Sequence, residues 1–195
     1  SHSDQNEIQV NRPILALLPG SRLQEIKRKL PIMLEASKAF KEFDVIVACS
    51  TQLPPSYFDS FKTDGVRFEF GKTYEILQQA SYAFVTSGTA TLETALFEVP
   101  QVVCYKGSMI SYQIAKRIIT LRFISLVNLI MDKEVVKELI QNDFTKKNLK
   151  RELHKILDAN HRTALFEAYY LLEQKLGGKG ASEKTATSIV SNLKK

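Results

Sequence analysis

Two short stretches of the chain combine small residues, hydroxyls and a charged side chain in an order that suits a phosphate group. The first is Pro19-Gly20-Ser21-Arg22. Gly20 lets the backbone approach a ligand closely, and a helix starting here would present N–H groups that attract anions. Ser21 and Gln24 have capping-box spacing, which predicts a helix from Arg22. Arg22 adds a forked donor matched to phosphate oxygens. Taken alone, the tetrapeptide is equally well explained as a capped turn with a solvent-facing arginine. The second stretch is Ser87-Gly88-Thr89-Ala90-Thr91-Leu92-Glu93. It packs small residues and hydroxyls at a strand-to-helix turn. Glu93 lies four residues beyond Thr89, so the two share one helix face. A carboxylate there can accept bonds from both hydroxyls of a ribose, as acidic residues do in dinucleotide sites. Its plainer role would be to complement the positive end of the helix. Two such loops at one sheet edge are harder to dismiss than either alone.

Other chemistries find little support. His154 and His161 lie in a helical region without a cysteine or carboxylate ligand set, and read as surface residues. The chain has no Asp-x-Asp pair, no P-loop and no G-x-S-x-G elbow. Ser87 precedes a glycine, but no partner loop offers a base, so a hydrolase triad is rejected. Neither a metal nor a cofactor is implied.

These loops need elements to hold them. Ile14–Leu18, Val45–Cys49, Val66–Phe70, Tyr82–Thr86 and Gln101–Tyr105 are short, apolar and bounded by turn residues, and read as buried strands. Between them, Leu23–Phe40, Tyr74–Gln79, Thr89–Phe97 and Ile110–Leu121 read as helices. The alternation predicts an α/β fold with a doubly wound, Rossmann-like parallel sheet covered on both faces. Val135–Gln141, Thr145–Leu157, Thr163–Leu176 and Glu183–Leu193 all read as helices, giving a helical C-terminal tail. In such sheets ligands bind at the carboxyl ends of the strands, where both loops would lie.

The chain has 195 residues, 44% hydrophobic and 25% charged, enough for one globular domain. That domain is expected over residues 12–195. Residues 1–11 are polar and read as a disordered or tag-derived end. The net charge of +6 favours anionic partners. Nucleic acid is excluded as a partner by the lack of an aromatic-rich binding strand, zinc-finger spacing or recognition-helix pattern. The basic clusters Lys27–Arg28–Lys29, Lys116 with Arg117 and Arg122, and Lys146 to Lys155 read as solvated helix faces. Cys49 and Cys104 sit singly in apolar runs, which suggests a reducing compartment. With no signal peptide and no apolar run near the roughly 18 residues of a membrane span, a cytoplasmic location is expected.

Ile110, Ile114, Ile118 and Leu121 recur at helical spacing and form an apolar stripe. Packing on the sheet is its first explanation. Phe123 and Ile124 would extend the apolar surface, and Lys116, Arg117 and Arg122 flank it. An apolar edge ringed by basic residues also suits anionic lipid.

At this point the residues match a family. Leu17-Leu18-Pro19-Gly20-Ser21-Arg22 with Glu25-Ile26 resembles the lipid-A-disaccharide synthases. So do Thr86-Ser87-Gly88-Thr89-Ala90-Thr91-Leu92-Glu93 and Pro100-Gln101-Val102-Val103-Cys104-Tyr105-Lys106. Asn128-Leu129-Ile130, Val135-Val136-Lys137-Glu138-Leu139-Ile140-Gln141 and Gly180-Ala181-Ser182-Glu183 follow in family order. Val127 stands where many members have proline. The resemblance implies the C-terminal, donor-binding half of a GT-B glycosyltransferase. Such enzymes join UDP-2,3-diacylglucosamine to 2,3-diacylglucosamine 1-phosphate without a bound metal, releasing UDP. The expected substrate-binding residues are Gly20, Ser21, Arg22, Ser87, Gly88, Thr89, Ala90, Thr91 and Glu93, with Asn128, Glu138 and Gln141 carried over from the family motifs. The general base is expected in an N-terminal domain outside this chain, so the chain alone should be inactive. The resemblance also implies work at the inner-membrane surface, and a homodimer is compatible with it. Another UDP-sugar GT-B enzyme, an epimerase domain, a non-catalytic nucleotide-sugar-binding module and a basic membrane-surface module stay open as alternatives.

Overall fold

The computed structural model describes residues 12–107 and 122–178. A six-stranded parallel sheet forms the middle layer, in the order β3-β2-β1-β4-β5-β6. The five apolar runs become β1 (Ile14–Leu18), β2 (Asp44–Cys49), β3 (Val66–Phe70), β4 (Ala80–Thr86) and β5 (Gln101–Tyr105). Leu15 and Leu17 join the core on one face of the sheet and Ala16 and Leu18 the core on the other. Burial on both sides explains why β1, β2, β4 and β5 are continuous apolar runs, while β3, at the sheet edge, alternates Val66, Phe68 and Phe70 with Arg67 and Glu69.

Among the described residues six helices cover the sheet: α1 (Leu23–Ser37), α2 (Thr73–Gln79), α3 (Thr89–Leu96), α4 (Leu126–Met131), α5 (Lys146–Leu157) and α6 (Ala159–Lys175). On one face Ile26, Leu30 and Met33 of α1 share a core with Leu149, Leu153 and Ile156 of α5. Opposite, α2 adds Ile76 and Leu77. Ala95 of α3, Val127 and Met131 of α4, and Leu165 and Leu172 of α6 form a third cluster around Val103.

The expected helical C-terminal tail is present as α5 and α6, but its first expected helix is not. Val135–Gln141, expected as a helix, contains strand β6 (Lys137–Ile140), which pairs with β5 from Val102↔Lys137 to Tyr105↔Ile140. Val135, Val136, Leu139 and Ile140 fit one helix face only because the window is so short. Tertiary partners decide the matter. Asn128 Oδ1 accepts from the backbone N–H of Val135 and Val136, at 2.7 and 2.9 Å, and its Nδ2 donates to Val136 O at 2.8 Å. The segments Ile110–Leu121 and Glu183–Leu193 lie outside the described residues, as do Lys116, Arg117 and the Gly180-Ala181-Ser182-Glu183 motif.

The chain leaves β1 through α1 toward β2, and leaves β4 through α3 toward β5. The two crossovers run in opposite directions from adjacent strands, Leu17 facing Phe84 and Leu18 facing Val85 in the β1–β4 register. A crevice opens at such a reversal, at the carboxyl ends of the two strands.

Candidate functional site

The loops at that crevice are the two singled out by residue type. The β1 loop runs from Pro19 to Arg22. Gly20 has φ +103°, a conformation that side chains rarely adopt, and a Cβ there would meet Glu25 Oε2 at 2.5 Å. The turn therefore needs glycine twice over, for its backbone and for the carboxylate pressed against it. Helix α1 begins at Leu23 with Arg22 as its N-cap residue, and no side chain caps it. The Ser21–Gln24 capping box thus does not form. Glu25 takes over the first turn, with Oε1 3.7 Å from Arg22 Nη1. The Arg22 side chain is 83% exposed, free to meet a ligand.

The β4 loop runs from Ser87 to Glu93. Gly88, the N-cap residue of α3, has φ +137° and ψ −159°, with open space where a Cβ would stand. Thr89 is exposed and Ala90 half-buried, and the first helical turn leaves N–H groups without intrahelical acceptors. Ser87 Oγ donates to Ile124 O at 3.1 Å, so the loop is fastened to the chain before α4. Thr91 is buried, and its hydroxyl donates to Gly88 O at 2.8 Å, which gives it a part in shaping the turn.

Glu93 is half-buried on α3. Among the described residues its carboxylate has no hydrogen-bond or ion-pair partner. Burial pushes its pKa above the ordinary glutamate value. A carboxylate that has lost water and gained no donor is primed to accept hydrogen bonds from a ligand.

The three residues carried over from the later motifs sit differently. Asn128 is fully buried, and Ser125 caps α4 by accepting from Asn128 N. Glu138 accepts from Ile124 N, Ser125 N, Ser125 Oγ and Asn128 Nδ2. Both side chains are thus occupied in fixing the 122–128 segment, which in turn holds Ser87. Gln141 opens a 3-10 turn (Gln141–Asp143) at the carboxyl end of β6, with φ +52°, and its buried Nε2 finds no acceptor among the described residues.

One residue escaped the reading of the sequence. Lys29, taken there as part of a solvated basic face, is only 2% exposed. Its Nζ donates to Thr86 Oγ1 and lies 3.8 Å from Glu25 Oε2. A signal was present: Lys29 falls within the stripe Ile26, Leu30, Met33 that α1 buries. Phe123, which continues the apolar stripe, is also buried, with the Arg122 guanidinium 5.2 Å from its ring centroid. Both His154 and His161 are exposed. Among the described residues no cluster of His, Cys, Asp or Glu could hold a metal ion, and no helix is long and apolar enough to cross a membrane.

Comparison with known proteins supplies a family. A family model described as lipid-A-disaccharide synthetase matches residues 1–190. The lipid-A-disaccharide synthase of Syntrophus aciditrophicus (strain SB) is 37% identical over 190 residues, covering 93% of this chain and 50% of the relative. That of Myxococcus xanthus (strain DK1622) is 33% identical, covering 93% and 49%. The chain therefore spans about half the length of these relatives. Among solved structures, the calicheamicin glycosyltransferase CalG4 superposes with a TM-score of 0.61 at 15% identity, over 96% of this chain and 44% of that one. The spinosyn rhamnosyltransferase SpnG, complexed with thymidine diphosphate, gives 0.57 at 11% identity, over 95% and 46%. At such identities the likeness concerns the fold, a Rossmann-like unit of the GT-B kind. Ordered motifs, sheet topology and family match agree: the chain belongs to the lipid-A-disaccharide synthetase family.

Proposed function

We propose that residues 12–195 form the donor-binding domain of a lipid-A-disaccharide synthase, which holds the UDP part of UDP-2,3-diacylglucosamine. The whole enzyme transfers the acylated glucosamine to 2,3-diacylglucosamine 1-phosphate, forms the β-1,6 link and releases UDP. One observation carries this reading. Both glycine-bearing loops leave the sheet at its β1–β4 reversal, and one of them leads to a desolvated carboxylate that has no hydrogen-bond or ion-pair partner among the described residues.

In this reading Arg22 and the N–H groups at the starts of α1 and α3 meet the diphosphate. Glu93 accepts the two ribose hydroxyls. As the acceptor hydroxyl attacks the anomeric carbon, the bond from that carbon to the diphosphate oxygen breaks and UDP leaves with the electron pair. Charge then grows on the diphosphate, where preorganised donors help most. The acceptor's proton goes to a base that this domain does not supply. Asn128, Glu138 and Gln141 act as positioning residues around the donor. The acylated substrates place the enzyme at the cytoplasmic face of the inner membrane.

The test is calorimetric titration of the chain with UDP in the presence of a chelator. Charge-assisted hydrogen bonds are worth about 1.5–3 kcal/mol each, and ordering offsets much of the sum, so micromolar affinity is expected. No heat up to millimolar UDP from a folded sample, or a strict need for magnesium, would count against the reading.

A further inference from the structure

We propose that Lys29 is a buried counter-charge of the anion site: its ammonium, screened by Glu25 in the free chain, strengthens the binding of a diphosphate held by the two loops. This rests on the reading of those loops as the donor site.

A lysine is seldom buried unless it is well paired. Lys29 is buried with thin compensation. Its Nζ donates to one hydroxyl, Thr86 Oγ1, and stands 3.8 Å from a single carboxylate oxygen of Glu25. These two partners locate the charge. Thr86 immediately precedes Ser87, and the same Glu25 oxygen is packed against Gly20. The ammonium thus sits directly behind both loops. Arg22 meets the other oxygen of Glu25, so one carboxylate stands between the two cations nearest the β1 loop.

The surroundings of Lys29 give it a field that reaches the ligand. Burial pushes its pKa below the ordinary lysine value; Glu25 opposes that shift, Cys104 opposes it less, and Arg22 adds to it. Cys104, the β5 partner of Thr86 in the sheet register, has its own pKa pushed up by burial and carries no charge near neutrality. Among the described residues Glu25 is therefore the one nearby anion, and it is 35% exposed and shared with Arg22. A positive charge in poorly polarisable surroundings acts over longer distances than one in water. A diphosphate above the loops would supply the compensation that Lys29 lacks.

The experiment measures pyrophosphate and UDP binding by calorimetry for the wild-type chain, Lys29→Met and Lys29→Gln. Both variants should bind pyrophosphate about tenfold more weakly or worse, since each removes a charge from a low-dielectric position. Lys29→Met should melt no lower than wild type, because an apolar side chain of similar volume replaces a weakly compensated buried charge. Lys29→Gln keeps a donor for Thr86 but not the charge. If it binds as tightly as wild type, the hydrogen bond rather than the charge matters, and the proposal fails. A second measurement requires no variant to fold. The 13C shift of Lys29 Cε is followed against pH with and without saturating pyrophosphate. Coupling between the ligand and the ammonium is reciprocal, so bound pyrophosphate must raise the titration midpoint. An unmoved midpoint with ligand bound overturns the proposal and leaves the donor-site reading intact. Failure of wild type to bind either ligand sinks both.

Discussion

Asn128 Nδ2 donates to Glu138 Oε1 at 2.9 Å, and this bond joins the two centres of a partly buried polar network. Asn128 serves the backbone of Val135 and Val136, while Glu138 gathers Ile124 N, Ser125 N and Ser125 Oγ. The segment they fix offers Ile124 O to Ser87 Oγ, so the network reaches the β4 loop through one further bond. Asn128→Ala would strand two backbone N–H groups and remove a donor from a carboxylate. We expect a loss of about 2–4 kcal/mol, or roughly 5–15 °C in melting temperature for a chain of this size. A melting temperature within about 1 °C of wild type would show that the network carries little stability.

Gly88 tests the backbone alone. Nothing lies within 4 Å of a Cβ built there, so Gly88→Ala meets no clash. Its φ of +137° with ψ of −159° is open essentially to glycine. The substitution should cost about 1–3 kcal/mol of stability, or re-aim the start of α3 and weaken UDP binding. Unchanged melting and unchanged affinity together would mean that the turn tolerates an ordinary residue.

Arg22 and Glu93 separate phosphate from ribose. Arg22→Ala should weaken UDP and pyrophosphate alike. Glu93→Gln keeps the shape but replaces a charged acceptor, and should weaken UDP by roughly tenfold or more, given about 1.5–3 kcal/mol for a hydrogen bond to a charged group. Pyrophosphate has no ribose, so its affinity should hold. An equal loss for both ligands would remove the ribose assignment.

Much of this site could be read before the fold was in view, for a physical reason. Strands β1, β2, β4 and β5 are largely buried and stand out as apolar runs, edge strand β3 alternates Val66, Phe68 and Phe70 with Arg67 and Glu69, and the phosphate-suited loops follow β1 and β4 directly. Strand β6 lacks that signature. It is four residues long, and its pairing is fixed by β5 and by the side chain of Asn128, neither of which leaves a local pattern. Helix α4 is only six residues long, and its one local mark is the Ser125–Asn128 cap. Lys29 was hidden by its neighbours. Lys27 and Arg28 are exposed, and the run reads as one basic face until the burial of Ile26 and Leu30 fixes which way residue 29 points.

The proposed membrane contact can be tested apart from the nucleotide. Arg122 is exposed beside buried Phe123, and it follows the stripe of Ile110, Ile114, Ile118 and Leu121 with Lys116 and Arg117. Each basic residue near an anionic surface contributes about 1 kcal/mol. Replacing Lys116, Arg117 and Arg122 together by glutamine should lower binding to vesicles containing anionic lipid by roughly a hundredfold, from about 3 kcal/mol. UDP affinity and melting temperature should stay nearly constant. Vesicle binding that ignores the triple change would place the contact elsewhere, and unfolding would make these residues part of the core.

The pH dependence of Glu93 has a definite sign. Burial raises its folded pKa above the ordinary value, so between the two values the folded chain holds more protons than the unfolded one. Stability must then fall as pH rises through that window, and the ionised carboxylate destabilises the free fold above it. Glu93→Gln should therefore melt higher than wild type at neutral pH, with the gain vanishing below the ordinary glutamate range. UDP reverses the preference. Two ribose hydroxyls donating to the carboxylate favour its charged form, so wild-type affinity should drop as pH falls through the raised pKa. The diphosphate of UDP titrates as well, and Glu93→Gln supplies the control, since it keeps that titration and lacks the carboxylate. Parallel pH profiles for the two proteins would mean that Glu93 stays away from the ligand.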